Sequence, residues 1–171
     1  SLTDHYDPRS KTLRLSVDVF GSSSLAAAGV AAHEVGHAIQ HAHAYGPLKF
    51  RSAWVPVAST GGNISMILLI LALIMGGAAT AAGSTLSVIG VGLFATTTVF
   101  TLVTLPVEFD ASRRAMATLE RGSYLTGEEL RGARKVLDAA ALTYVAAFLT
   151  SLLTLLYWAY RLGLFGGRQR N

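Results

Sequence analysis

Three long stretches of the chain consist of apolar and small polar residues only. They lie at 64–82, 85–107 and 139–160, are 19, 23 and 22 residues long, and contain no charged side chain. A helix rises about 1.5 Å per residue and needs about 20 residues to cross the hydrocarbon core of a bilayer. We therefore predict three membrane-spanning helices, of which the first two form a hairpin around a short turn at Gly83 and Ser84.

The first 63 residues are more polar, and their pattern predicts a strand and then a helix outside the bilayer. Residues 11–20 alternate apolar and polar side chains, as a half-buried strand does. Gly21 interrupts this pattern, and the three serines that follow can cap a helix. An alanine-rich run starts at Leu25 and continues to Gly46 and Pro47, where we expect the helix to end.

The composition supports a membrane protein and excludes several other classes. Only 14% of the residues are charged and 51% are hydrophobic, whereas a soluble domain has about 25% charged residues. The chain contains no cysteine, which excludes disulfide frameworks, thiolate metal sites and cysteine nucleophiles. The net charge of +4 is not concentrated in a dense basic run with interleaved aromatic residues. We therefore expect the lipid bilayer, and no nucleic acid, as a partner.

The distribution of Lys and Arg predicts the orientation. Five lie in 1–63 and six in 108–138, while the turn at 79–86 has none. The positive-inside rule then places both basic segments in the cytoplasm, and we expect the inner membrane of a prokaryotic cell. The predicted organisation is a cytoplasmic-facing strand and helix at 1–63, a transmembrane hairpin at 64–107, a cytoplasmic-facing helical segment at 108–138, a third spanning helix at 139–160 and a basic tail at 161–171. The three arginines of that tail would lie on the other side and argue against this orientation.

The predicted N-terminal helix carries the motif HExxH as His33, Glu34 and His37. At about 100° per residue the three side chains share one face of the helix. Two imidazoles one turn apart can bind one zinc ion, and the adjacent glutamate can act as general base. Because five His and five Glu among 171 residues would give only about 0.004 chance matches, we interpret the motif as a catalytic Zn²⁺ site.

A catalytic zinc ion needs a third protein ligand, for which the chain offers Glu108, His5, His41 and His43. On a continuing helix, His41 and His43 lie too far beyond His37 to reach the same ion. Glu108 follows two predicted spans, and an even number of crossings returns it to the membrane face of the motif. Glu108 is therefore the predicted third ligand.

Three runs of the sequence resemble the YugP-type integral membrane zinc metallopeptidases: DHYDPR from Asp4, HEVGHAIQH from His33 and LPVEFDASRR from Leu105. The resemblance implies a gluzincin-like endopeptidase with one Zn²⁺ held by His33, His37 and Glu108, with Glu34 as general base. It also implies protein or peptide substrates, among them membrane proteins. The predicted fold class is a mainly α integral membrane protein with a small zincin-like catalytic region of one or two short strands and the HExxH helix.

The sequence departs from this family in two respects. Many gluzincins have an aspartate four residues after the third ligand, where this chain has Ser112, so Asp4, Asp7 and Asp110 are further candidates for supporting a ligand. The chain also begins with Ser1, without the additional membrane segment with which family members usually begin, so we expect that an N-terminal segment is missing.

Other interpretations stay open at this point. A non-catalytic metal-binding scaffold or a metal transporter would carry the same motif, although transporters place ionisable residues near the bilayer midplane and the three spans have none.

The predicted strand could pair with an extended substrate or simply support the helix. Residues 4–8 could form a second metal site, but a turn capped by Asp7 is favoured. Small residues such as Gly76 and Gly77 suit helix packing within one chain or in a homo-oligomer.

Overall fold

The computed structural model describes residues 4–164, and most of them are helical. This confirms the prediction of a mainly α protein with two short strands. In chain order the elements are β1 (His5–Asp7), β2 (Thr12–Arg14), α1 (Val17–Phe20), α2 (Leu25–Ala42), α3 (Gly46–Ile74), a 3-10 turn (Gly77–Ala79), α4 (Ala81–Arg121) and α5 (Gly127–Arg161). Most of the basic tail predicted at 161–171 lies outside the described residues.

Helices α3, α4 and α5 are each long and apolar enough to cross a membrane. Many of their large apolar side chains are exposed; Ile67 and Leu153 expose more than 60% of their surface. Such exposure would be costly in water but is expected of helices that face lipid. Helix α4 continues without interruption past Pro106 to Arg121, so the span predicted at 85–107 and the polar residues after it belong to one helix.

The turn predicted at Gly83 and Ser84 is wrong, because both residues lie inside α4. The connection lies earlier, where Gly76 and Gly77 adopt positive φ angles of 89° and 56°. Glycine reaches this left-handed region without a Cβ penalty and therefore ends helices readily. The Thr80 hydroxyl accepts a hydrogen bond from the Gly83 N–H at 3.0 Å and so caps the start of α4.

The strand predicted over 11–20 is wrong beyond Arg14. The Ser16 N–H donates to the Asp4 carboxylate at 2.6 Å, and the Ser16 hydroxyl accepts from the Val19 N–H at 3.3 Å. These side-chain hydrogen bonds turn the backbone into α1, and they outweigh the apolar alternation that favours a longer strand.

The helix predicted to reach Gly46 and Pro47 ends earlier. Helix α2 ends at Ala42, His43 is its C-terminal cap, and Ala44 adopts a positive φ of 52°. Gly46 and Pro47 instead begin α3. Proline is tolerated in the first turn of a helix because the N–H that it lacks has no intrahelical partner there.

One compact unit contains residues 4–50 and 104–145 of the described chain. Its core contains one residue of α2, three of α4 and two of α5: Ala32, Ala115, Met116, Leu119, Ala133 and Leu137. Small side chains on α2 allow another helix to approach its backbone closely, as helix pairs in membrane proteins often do. This unit holds all the residues of the candidate metal centre.

The second unit contains residues 51–103 and 146–164 of the described chain. Leu69, Ala72 and Leu162 form its buried apolar cluster. Polar side chains in these apolar helices are hydrogen-bonded: the Trp54 indole N–H donates to the Thr96 carbonyl at 2.9 Å. Within the second unit we find no cluster of metal-binding side chains among the described residues.

Candidate metal centre

His33 and His37 of α2 and Glu108 of α4 lie together, as the sequence predicts. One potential ligand atom of each residue lies within 4.8 Å of those of the other two. Glu108 Oε2 is 3.0 Å from His33 Nε2 and 3.7 Å from His37 Nε2. The Glu108 side chain is 2% exposed, and the two imidazoles are 15% and 12% exposed. The cluster is therefore largely buried but still reachable from solvent.

The chemistry and spacing of these donors fit a zinc ion. Zinc prefers imidazole nitrogen and carboxylate oxygen at about 2.0–2.2 Å in tetrahedral geometry, which separates two ligand atoms by about 3.3 Å. The distances of 3.0 and 3.7 Å from Glu108 Oε2 to the two imidazoles lie on either side of this value. Two histidines and one glutamate form a set of three protein ligands that leaves a fourth position open for substrate or water.

A close approach of two helices brings Glu108 to the histidines. An ideal Cβ on Gly36 would lie 2.9 Å from the carbonyl carbon of Ala111 and closer still to its oxygen. Gly36, the second variable position of HExxH, faces the backbone of α4 directly, and only glycine fits there. Ala111 follows Glu108 by less than one turn and is fully buried, so this contact fixes the distance between the histidine pair and the carboxylate.

Glu34 lies on the same helix but takes part in a different contact. Its Oε2 accepts a hydrogen bond from the Tyr6 N–H in β1 at 2.9 Å. The hydroxyl of Tyr6 is 2.9 Å from Nδ1 of His41, one of the rejected candidate ligands. The β1–β2 hairpin, in which Tyr6 pairs with Leu13, is thus attached to α2 beside the histidine pair.

Both histidines are oriented through their second ring nitrogen. His33 Nδ1 lies 3.1 Å from the Ser112 hydroxyl, and His37 Nδ1 lies 3.0 Å from Gln40 Oε1. In each case Nε2 is left to face Glu108. Partners of this kind fix the ring orientation of metal-binding histidines.

The carboxylate of Glu108 also changes the protonation of its neighbour. Burial of His37 by itself lowers the pKa of this imidazole, but the hydrogen bond and the charge of Glu108 oppose that effect. With the further contribution of Gln40, the net result is a pKa for His37 above its ordinary value of 6.5. Below that pKa, and in the absence of a metal ion, a proton on His37 offsets part of the negative charge of the cluster.

The other candidate ligands have different partners. His43 Nδ1 lies 3.1 Å from the guanidinium of Arg114. Asp110 is buried, forms ion pairs with Arg113 and Arg114, and does not contribute to the cluster. His5 is likewise not among the grouped ligands of the described chain. The prediction that His41 and His43 do not join the site of His37 agrees with this geometry.

The predicted turn capped by Asp7 is confirmed, although His5–Asp7 form β1 and the turn follows at 8–11. Asp7 accepts hydrogen bonds from the Arg9 N–H at 2.9 Å and from the Ser10 hydroxyl at 2.7 Å. The Ser10 hydroxyl and the Arg9 N–H lower the pKa of this carboxyl. Asp7 therefore holds the loop between β1 and β2 and does not belong to the one metal-binding cluster found in residues 4–164.

Sequence reasoning missed the role of Gln40. Gln40 follows His37 by three residues, and side chains at this spacing on a helix are neighbours. The spacing could therefore have predicted a contact between Gln40 and His37. Ser112 was noted as a departure from an aspartate, yet its hydroxyl contacts His33 from that position.

Comparisons with known proteins agree with this geometry. The family model described as "Putative neutral zinc metallopeptidase" matches residues 1–163, a range that contains every residue of the cluster. The "Putative membrane protease YugP" of Bacillus subtilis (strain 168) is 43% identical over 158 residues, which cover 91% of this chain and 67% of that protein. No solved structure matches the chain. The resemblance inferred from the sequence is thereby confirmed.

Proposed function

We propose that this chain, which belongs to the neutral zinc metallopeptidase family, is a membrane-embedded endopeptidase that hydrolyses peptide bonds at one zinc ion. The observation that carries the proposal is the convergence of His33, His37 and Glu108 beside Glu34. The chain has the ligands and the base that a zinc peptidase needs, and they lie in one compact unit.

His33 Nε2, His37 Nε2 and one oxygen of Glu108 would hold the ion. When bound there, zinc supplies Lewis-acid chemistry: it polarises the carbonyl of the scissile bond and lowers the pKa of water. The ligands are oriented before any ion arrives, since Ser112 and Gln40 contact the two imidazoles from behind. Low exposure of the three side chains limits the number of water molecules that compete for the ion.

Glu34 would act as the general base. Its Oε2 is held by the Tyr6 N–H, and its Oε1 can accept a proton from the attacking water. The same carboxyl then passes this proton to the leaving amine. The hydrogen bond from Tyr6 keeps the carboxylate in one orientation, which reduces the reorganisation that proton transfer requires.

We further propose that the centre faces the cytoplasm of a prokaryotic cell and that its substrates are proteins or peptides, including membrane proteins. The support is the excess of Lys and Arg in 1–63 and 108–138, the three apolar helices and the membrane protease name of the Bacillus relative. Because Glu108 follows directly on the apolar segment of α4, we propose that the centre acts on segments close to the bilayer surface.

The test compares wild type with Glu34→Gln in detergent, using zinc content and cleavage of an unfolded protein as readouts. We expect one zinc ion per chain in both proteins and a loss of activity of about 10²–10⁴-fold in the variant. Glu120→Gln makes the same chemical change at an exposed position of α4 and should behave as wild type.

Three results would contradict the proposal. If the wild-type protein contains no zinc, the assignment of zinc as the cofactor is wrong. If Glu34→Gln keeps full activity, the assignment of Glu34 as general base is wrong. Wild type that binds zinc but cleaves nothing would favour the alternative of a non-catalytic metal-binding scaffold or metal transporter.

A further inference from the structure

We infer that Gln40 is a positioning residue that fixes His37 as the imidazole tautomer with its proton on Nδ1, so that Nε2 is available to a metal ion before the ion arrives. This inference rests on the proposed zinc site and assigns a role to a residue outside its ligand set.

The Gln40 side chain is fully buried and uses all of its polar atoms. Its Nε2 donates to the Val107 carbonyl at 2.8 Å and to the Asp110 carboxylate at 2.9 Å. Its Oε1 lies 3.0 Å from His37 Nδ1. The amide thereby connects α2 to two positions of α4 on either side of Glu108.

The orientation of this amide follows from its partners. A carbonyl oxygen can only accept, and the Asp110 carboxylate is ion-paired with Arg113 and Arg114, so that it also accepts. The flipped amide would place Oε1 against both acceptors and lose two buried hydrogen bonds, which buried polar groups rarely tolerate. The amide nitrogen must therefore face Val107 and Asp110, and the amide oxygen must face His37.

The tautomer of His37 follows from the orientation of the amide. Because Gln40 Oε1 is an acceptor, His37 Nδ1 must carry the proton and donate it. In the neutral imidazole the other nitrogen then has no proton and can act as a ligand. Nε2 of His37 is the atom that faces Glu108 Oε2, at 3.7 Å.

The two histidines differ in this respect. The partner of His33 Nδ1 is the Ser112 hydroxyl, which can either donate or accept a hydrogen bond. Ser112 orients the ring of His33 but does not by itself fix a tautomer; in the zinc-free protein the Glu108 carboxylate, 3.0 Å from His33 Nε2, can only accept a hydrogen bond from that nitrogen. Gln40 and Ser112 thus form a matched pair of contacts to Nδ1, and of these two only the contact from Gln40 fixes the position of the Nδ1 proton.

The experiment reads the tautomer directly. Zinc-free protein with nitrogen-labelled histidine is studied by nuclear magnetic resonance in detergent, at a pH well above the titration of imidazole. The His37 signals are identified as those that disappear in a His37→Gln variant. We expect wild type to show the His37 proton on Nδ1.

Gln40→Met keeps the length of the side chain but removes its hydrogen bonds. In this variant we expect a mixture of His37 tautomers and a zinc affinity lower by about 10–100-fold, the range for partners of metal ligands. Ser112→Ala is the matched control: it should leave the His37 tautomer unchanged although it removes a contact to the other histidine.

The inference is overturned if the His37 proton lies on Nε2 in wild type, or if Gln40→Met leaves the tautomer and the zinc affinity unchanged. If Gln40→Met does not fold, the wild-type spectrum still decides. Failure of the proposed peptidase activity would not alter this spectrum, since the measurement needs neither zinc nor substrate.

Discussion

Gly36 of α2 lies against the backbone of Ala111 in α4, with no room between them for a methyl group. Ala111 is fully buried and lies one helical turn before Ala115, which belongs to the core of the same unit. The distance between the two helix backbones at this point sets the distance from Glu108 to His33 and His37. Helix packing and metal geometry therefore depend on the same contact.

Gly36→Ala should separate the two helices. The added Cβ would meet backbone atoms of Ala111, which cannot move aside as a flexible side chain can. We expect a loss of stability of about 1–3 kcal/mol, as for other overpacked cores, and weaker zinc binding because the carboxylate moves away from the imidazoles. Thermal unfolding in detergent and zinc titration measure both effects.

Gly29→Ala is the control for this change, since Gly29 is buried in the same helix but its Cβ would have no neighbour closer than 3.9 Å. Alanine is preferred to glycine in helices by about 1 kcal/mol, so this variant should be at least as stable as wild type. Equal effects of the two substitutions would show that the close approach at Gly36 is not what fixes the site.

Glu108→Ala should remove the third ligand and leave two histidines in a buried site. We expect zinc affinity to fall by more than about 100-fold, beyond the effect of losing a partner of a ligand. Glu120→Ala removes a carboxylate from an exposed position of the same helix and should keep one zinc ion per chain. Full zinc content in Glu108→Ala would exclude this residue as a ligand.

The raised pKa of His37 predicts opposite pH dependences for the zinc-free and zinc-loaded proteins. Because its pKa is above 6.5 in the folded protein, protonation of His37 stabilises the zinc-free fold below pH 6.5, and this contribution is lost as the pH rises through the folded pKa. A metal ion needs the deprotonated imidazole. The stabilisation by added zinc should therefore increase from about pH 6 to about pH 8.

Melting temperatures measured with a chelator and with zinc over this pH range test the prediction. Glu108→Gln removes the charge that raises the pKa of His37, so the zinc-free variant should lose less stability than wild type as the pH rises. A wild-type protein whose zinc-free form gains stability over the same range would contradict the assigned direction.

The absence of cysteine allows the proposed orientation to be tested with single cysteine variants. Arg9, Glu120 and Ala81 are exposed positions in β1–β2, at the end of α4 and at its start. In intact cells a membrane-impermeant thiol reagent should label only Ala81→Cys. In inside-out vesicles it should label Arg9→Cys and Glu120→Cys instead. Labelling of Arg9→Cys from outside the cell would show that the orientation is the opposite of the proposed one.

The sequence by itself determined the features that depend on neighbouring residues. The spacing of His33, Glu34 and His37 requires only a helix, whose geometry is local, and the absence of charge over long segments predicts the three apolar helices directly. Glu108 was also predictable, because it is the first charged residue after two such segments.

Only the tertiary structure decided which residues support the site. Gln40 and Val107 are 67 positions apart, and His33 and Ser112 are 79 apart. No periodicity connects such pairs. Packing and individual hydrogen bonds likewise determine three further features. These are the closeness of Gly36 to Ala111, the hydrogen bond from Tyr6 to Glu34, and the turn after β2 that the contact between Asp4 and Ser16 forms. Local patterns fix where the ligands lie along α2, whereas the spacing and proton positions that make them a site come from contacts between distant segments.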